Sequence, residues 1–284
     1  MLIISASRRT DLIAYYPKYF SNILKKRKVE VHGPFGHRYS VNLSPSGVHT
    51  IVLWSKNFGN FINNRFGLKD LLMSYSQIYL HFTITGLGGT EMEPIIPEPQ
   101  KALEQLKELV KIVGDERIAI RFDPIIFYKY EGRLKTNYDF FPILIKEISK
   151  YRLKKLIFSF VQYYPTVIKR FKKVGIEYID PPKEEKLKLA SDMAKEIRET
   201  DIKLYACSQE FLTKIKGIEK SRCIDAEYLS NIHPLGWKIK YKKDRGQRKE
   251  CGCSESKDIG NYGMSCPAPC LYCYANKKIN VRIK

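Results

Sequence analysis

Pro99-Gln-Lys-Ala-Leu-Glu-Gln-Leu-Lys-Glu-Leu-Val-Lys-Ile-Val113, stopped by Gly114 and followed by Ile118-Ala-Ile-Arg-Phe122, decides the fold. Leu103, Leu106, Val110 and Val113 recur at helical spacing on one face; Pro99 suits the first turn and Gly114 ends the run. The segment after it is rich in β-branched and aromatic residues, which favour a buried strand. Ile78-Tyr-Leu-His-Phe-Thr83 reads the same way on the other side of the helix. The unit is therefore strand, helix, strand, which implies parallel strands.

The pattern extends in both directions. Leu2-Ile-Ile-Ser-Ala6, Thr50-Ile-Val-Leu-Trp54, Lys155-Leu-Ile-Phe-Ser-Phe-Val161 and Ile202-Lys-Leu-Tyr-Ala206 are further strands. Pro182 to Thr200 and Phe140 to Lys150 are further helices, the first with Leu187, Ala190, Ala194 and Ile197 on one face. Six parallel strands with outer helices predict an α/β fold: a partial, TIM-like (β/α)6 barrel. Ser44-Pro-Ser-Gly47 has turn composition, so a β-hairpin insertion is expected over Tyr39 to Trp54. From Gly236 the chain is basic, Gly- and Cys-rich and weakly periodic. It reads as a C-terminal Cys-rich cap (236–284) on a barrel (1–235), with a short last strand through Ile279, Val281 and Ile283.

The length of 284 residues suits one large domain, or a domain with an appendix, and can bury a substantial core. No apolar run is long enough to cross a bilayer, and the first residues lack the order of a signal peptide. A cytoplasmic, membrane-free protein is expected. Its seven cysteines then read as metal ligands in a reducing compartment, not as disulfides. Lys and Arg number 50 against 30 Asp and Glu, a formal charge of +20, which attracts nucleic acid and other polyanions. The densest runs are Lys25 to Lys28, Lys169-Arg-Phe-Lys-Lys173 and Lys238 to Arg245. As solvated helix faces they need no polyanion.

In parallel barrels the loops after the strands build the site. Here these loops are polar at every strand: Ser7, Arg8, Arg9, Thr10 and Asp11; Ser55, Lys56 and Asn57; Thr83; Arg121 with Asp123; Ser159 with Gln162; Cys207, Ser208 and Gln209. Arg121 and Asp123 point to the same side of their strand. They form either a structural ion pair or the catalytic pair, with Arg121 gripping a carboxylate or phosphate. Ser7, Arg8, Arg9, Asp11, Thr83 and Gln162 are the cofactor-binding candidates. His81 lies among apolar residues and reads as a satisfied core histidine. Gly86-Leu-Gly-Gly-Thr-Glu91 reads as a turn.

Cys266-Pro-Ala-Pro-Cys270-Leu-Tyr-Cys273 presents three thiols at C-x3-C-x2-C spacing. Three local thiolates suit a 4Fe-4S cluster with one iron left open; zinc is the rival, although structural zinc takes four ligands. Cys207, Cys223, Cys251 and Cys253 remain, and four thiolates complete a second site, either an auxiliary 4Fe-4S cluster or zinc.

The terminal loop resembles the cluster loop of radical S-adenosylmethionine enzymes, and Tyr272-Cys273-Tyr274-Ala275 is close to the spore-photoproduct-lyase-like version. Nearly the whole chain resembles a bacterial domain-of-unknown-function family with such a C-terminal cluster. Ser5 to Asp11, Trp54 to Asn57, Arg121 to Pro124, Cys207 to Gln209, Cys223 to Asp225, Lys243 to Arg248, Cys251 to Cys253 and Asp258 to Gly260 carry that likeness. In ordinary radical enzymes the loop follows the first strand. Its late position here implies a permuted barrel or a terminal flap. The resemblance implies S-adenosylmethionine as cofactor, a deoxyadenosyl radical, and an electron donor such as flavodoxin or ferredoxin. A non-catalytic iron–sulfur or zinc protein, serving as a redox sensor or with nucleic acid, is the alternative.

Overall fold

A computed structural model describes residues 1–33 and 36–275; the strand expected through Ile279 to Ile283 lies outside them. The chain forms two compact units. The first takes Met1–Phe82, Glu104–Ala119 and Arg222–Cys266; the second takes Thr83–Leu103, Ile120–Ser221 and the chain from Pro267.

The strands are β1 (Leu2–Ala6), β2 (Lys28–His32), β3 (Arg38–Asn42), β4 (Val48–Ser55), β5 (Ile78–Thr83), β6 (Ile118–Ile125), β7 (Phe127–Tyr130), β8 (Arg133–Thr136), β9 (Lys155–Phe160), β10 (Ile176–Ile179), β11 (Lys203–Ala206), β12 (Ile218–Lys220) and β13 (Lys257–Asp258). The helices are α1 (Leu12–Tyr15), α2 (Pro17–Lys26), α3 (Gly59–Ile62), α4 (Leu68–Met73), α5 (Pro99–Val113), α6 (Phe141–Ser149), α7 (Pro165–Lys173), α8 (Lys183–Glu196) and α9 (Ala226–Asn231). Eight strands form one sheet in the order β12-β11-β9-β6-β5-β4-β1-β13. The fold is thus α/β around a large parallel sheet. Among the described residues no pairing joins β12 to β13, so no closed barrel is present.

All six expected strands lie in this sheet, and α5 has the expected bounds. Its buried face is centred on Ala102, Leu106, Leu109 and Val113, while Val110 is only half-buried. The strands missed are β12 and β13, three and two residues long and too short to show a period. β13 comes from the Cys-rich segment and pairs with β1, Ile4 opposite Lys257 and Ser5 opposite Asp258.

The hairpin expected over Tyr39 to Trp54 is not formed. Ser44 to Gly47 do turn, with Gly47 N–H donating to Ser44 O at 2.9 Å. β3 instead pairs antiparallel with β2, Val41 opposite Val29, while β4 runs parallel between β1 and β5. Composition explains the choice. β4 is buried at every position but half-buried Trp54, as a central parallel strand requires, whereas β2 alternates buried and exposed. A three-stranded antiparallel sheet, β10-β7-β8, was also unexpected. Glu131 and Gly132, both at positive φ (51° and 75°), make the two-residue turn between β7 and β8.

In the second unit Asn137 anchors the loops after the strands. Its Oδ1 accepts from Ile126 N–H at 2.8 Å, and its Nδ2 donates to Thr85 O at 2.9 Å and Pro124 O at 3.0 Å. The side chain is buried, so its loss strands three backbone groups away from water. Asn137→Ala is expected to destabilise the protein by about 3 kcal/mol in urea denaturation.

Candidate functional site

In the first unit the polar residues after β1 converge on Asp258. Its carboxylate accepts from Ser5 Oγ (3.0 Å), Ser7 Oγ (2.6 Å), Arg8 N–H (2.9 Å) and Gly260 N–H (2.9 Å). Gly260 is required here, because a Cβ would lie 2.2 Å from Ser7 Oγ. Arg9 donates to Gly260 O at 3.0 Å and lies over the Tyr262 ring, 3.9 Å from its centroid. Arg8 reaches Asp244 at 3.4 Å and Ser256 Oγ at 3.3 Å, and lies 5.5 Å from the Trp54 ring centroid. Trp54 stacks on buried His81 at 4.2 Å, and His81 Nε2 bonds Cys223 O at 2.7 Å. His81 is therefore a core histidine, as expected.

Asp11 caps α1 by accepting from Ala14 N–H at 2.8 Å, and also accepts from Ser55 Oγ (2.7 Å) and Lys56 N–H (3.1 Å). Burial pushes its carboxyl up to about 6, against those hydrogen bonds. Ser7 to Asp11 are thus brought together with β4 and the Cys-rich segment; Ser7, Arg8, Arg9 and Asp11 are engaged by neighbours, whereas the buried Thr10 hydroxyl has no hydrogen-bond partner among the described residues.

Three of the four remaining cysteines, Cys223, Cys251 and Cys253, belong to this unit. The Cys223 loop and the Cys251 to Ser254 segment are tied by Ile224 N–H to Cys253 Sγ (3.4 Å), Ser254 N–H to Ile224 O (2.8 Å) and Ala226 N–H to Ser254 Oγ (2.9 Å). The buried Cys253 thiol shares hydrogen bonds with Cys223 and Cys251, which with burial push it far up. Its bond to Cys251, with the Cys253 N–H and the Arg8 charge, pulls Cys251 down to about 6 despite burial. Burial opposes the Arg8 charge, but Cys253, Cys223, Asp258 and Asp244 outweigh it and raise its pKa. Cys207 belongs to the second unit, at the end of β11, where its N–H donates to Phe158 O at 2.9 Å.

Also in the second unit, Arg121 Nη2 donates to Asp123, which accepts from Ser159 Oγ as well. The pair is largely buried and forms the ion pair foreseen as one of its two readings. Thr83 ends β5 half-buried. Gln162 is exposed, and its Oε1 accepts from Tyr164 OH at 2.7 Å. The segment from Gly86 is a turn: a Cβ on Gly88 would lie 1.9 Å from Pro97 O, and Glu91 is held by Lys135 (2.8 Å) and Tyr128 OH (2.9 Å).

The terminal cysteine loop is firmly held. Leu271 N–H donates to Met92 O at 3.1 Å, and Cys273 N–H to Cys270 O at 3.0 Å. Arg170 Nη1 donates to Leu271 O (2.6 Å) and Cys273 O (2.9 Å). Tyr272 is buried with its hydroxyl on buried Glu93, which also accepts from Thr85 Oγ1 at 2.9 Å. Burial and the Glu93 charge raise the Tyr272 pKa well above the usual value and keep the phenol protonated. Cys266 is half-buried and belongs to the first unit, where the neighbouring Ser265 O accepts from Tyr16 OH at 2.6 Å. No disulfide joins any of the seven cysteines, and among the described residues no group of three or more His, Cys, Asp or Glu is gathered to hold a metal ion.

Asp258, Arg170, Glu93 and Tyr272 carry much of this arrangement, yet sequence reasoning gave none of them a role. Asp258 had one signal, its place in the Asp258 to Gly260 segment that carries the family likeness. Arg170 was hidden in a lysine run.

Two outcomes follow from this geometry. Asp258→Asn turns an amide toward donors and is expected to cost about 3 kcal/mol, read by urea denaturation. Asp11 is harder to ionise when folded, so the unfolded chain releases its proton first. Stability is therefore expected to fall as pH rises from about 4 to 6, by about 3 kcal/mol, and to level off above. Asp11→Asn should flatten that slope in denaturation midpoints measured across the range.

No curated protein matches the chain. Residues 3–275 match the family described as Domain of unknown function (DUF1848). That match covers nearly the whole sequence, and the chain belongs to this family.

Proposed function

We propose that the chain is a radical S-adenosylmethionine-like iron–sulfur enzyme in which Cys266, Cys270 and Cys273 hold one 4Fe-4S cluster. The carrying observation is the terminal loop itself, whose Cys270 and Cys273 lie beside a buried arginine that is hydrogen-bonded to the loop backbone. Three thiols at this sequence spacing are the donor set such a cluster takes, and a cation stands beside two of them, Cys270 and Cys273. A bound cluster with one iron free of protein ligands supplies the electron for reductive cleavage of S-adenosylmethionine.

The protein's own residues bind, orient and exclude water. Leu271 and Tyr272, both buried, and the Tyr272 bond to Glu93 keep water from one side of the loop. Arg121, paired with Asp123, is the residue proposed to meet a carboxylate or phosphate. Ser7, Arg8, Arg9 and Asp11, gathered at the end of β1 in the first unit, are the residues proposed to meet the cofactor. An acidic electron donor such as flavodoxin or ferredoxin, a cytoplasmic setting, and contact of the basic surface with nucleic acid complete the reading.

A metal protein without catalysis is the second reading, favoured by the thiols of Cys223, Cys251 and Cys253 beside Arg8. These three would be donors for an auxiliary cluster or zinc within the first unit, while Cys207, expected as their fourth, belongs to the second.

Anaerobic reconstitution with iron and sulfide, followed by dithionite and S-adenosylmethionine, separates the two. The enzyme reading expects 5′-deoxyadenosine, lost in Cys270→Ala together with the iron. Arg121→Ala is expected to keep the iron but slow product formation on the order of 10-fold, as loss of an anion contact does. Fully loaded protein that neither binds nor cleaves S-adenosylmethionine rejects the enzyme and leaves the metal protein.

A further inference from the structure

α7 presents Lys169, Lys172 and Lys173 to solvent, yet Arg170 in the same run is 8 % exposed. Helical geometry places Arg170 on the face shared with Val167, Phe171 and Val174, away from the lysines 169 and 172. Its guanidinium ends at the terminal loop, where Nη1 donates to the carbonyls of Leu271 and Cys273. Burying a guanidinium is costly unless negative charge and hydrogen bonds compensate it. The charges that favour it there are those of Cys273 and Cys270, working against burial.

We propose that Arg170 is a positioning residue for the terminal cluster, fixing the Cys270 to Cys273 turn and compensating the thiolate charge so that the cluster is held tightly and accepts an electron more easily. This rests on the iron–sulfur reading above. A cluster on thiolates gains negative charge when reduced, so a buried cation nearby favours the reduced form and raises its potential. The two carbonyl contacts are of the outer-shell kind whose loss commonly weakens metal affinity by about 10- to 100-fold. Lysine keeps the charge but not the planar donor geometry.

The test compares wild type, Arg170→Gln, Arg170→Lys and the surface control Lys173→Gln, each reconstituted anaerobically with iron and sulfide. Iron retained under chelator challenge reads affinity. A dithionite titration followed by electron paramagnetic resonance reads the midpoint potential. Lys173→Gln is expected to match wild type. Arg170→Gln is expected to lose affinity on the order of 10-fold and to shift to a more negative potential, whereas Arg170→Lys should lose affinity and keep a potential near wild type. An unshifted potential in Arg170→Gln, or equal shifts in both Arg170 variants, overturns the inference alone. A wild-type protein that takes up no iron overturns both it and the function proposed above. If Arg170→Gln does not fold, Arg170→Lys decides: iron held as tightly as in wild type rejects the positioning role.

Discussion

The Asp258 carboxylate, accepting two hydroxyls and two backbone N–H groups, is the interaction on which the first unit depends. β13 is only two residues long, so ladder hydrogen bonds alone give it little hold on β1. The carboxylate adds charge-assisted bonds from both sides of the junction. It fixes the turn after β1, and with it Arg8, whose charge acts on Cys223 and Cys253. Remove that anchor and the polar segment from Ser7 to Asp11 loses the partner that orders its backbone.

The parallel architecture was legible because it rests on long apolar runs. Thr50 to Trp54, Ile118 to Phe122 and Lys155 to Phe160 are buried almost throughout, and such strands announce themselves by composition. The register of the antiparallel additions was not legible. Ser44 to Gly47 is a real turn, but whether it reverses a strand or hands the chain to another sheet depends on which partner edge is open, and that is a tertiary fact. The cysteines could be counted from the sequence, but the expected set of four has Cys207 in the second unit and Cys223, Cys251 and Cys253 in the first. The residues that organise them were not legible, because Arg170 and Asp258 acquire their role from groups far away in sequence.

The two cysteine groups share a physical feature. Arg8 stands beside Cys223 and Cys253, and Arg170 beside Cys273 and Cys270, each largely buried. A buried arginine beside thiols works in two directions. It favours thiolate over thiol, and nearby negative charge, from thiolates and at Arg8 also from Asp258 and Asp244, answers its own charge. The pairing is therefore a mutual constraint: neither partner suits a site from which the other has been removed.

The first unit is assembled from three separated stretches of chain, the last beginning at Arg222. During synthesis the outer edge of β1 waits for Asp258, which follows Ser5 by 253 residues. Until then that edge offers unpaired backbone groups to any strand that reaches it. Closing that edge is therefore a late event in the making of the chain, and the Asp258 carboxylate is what closes it.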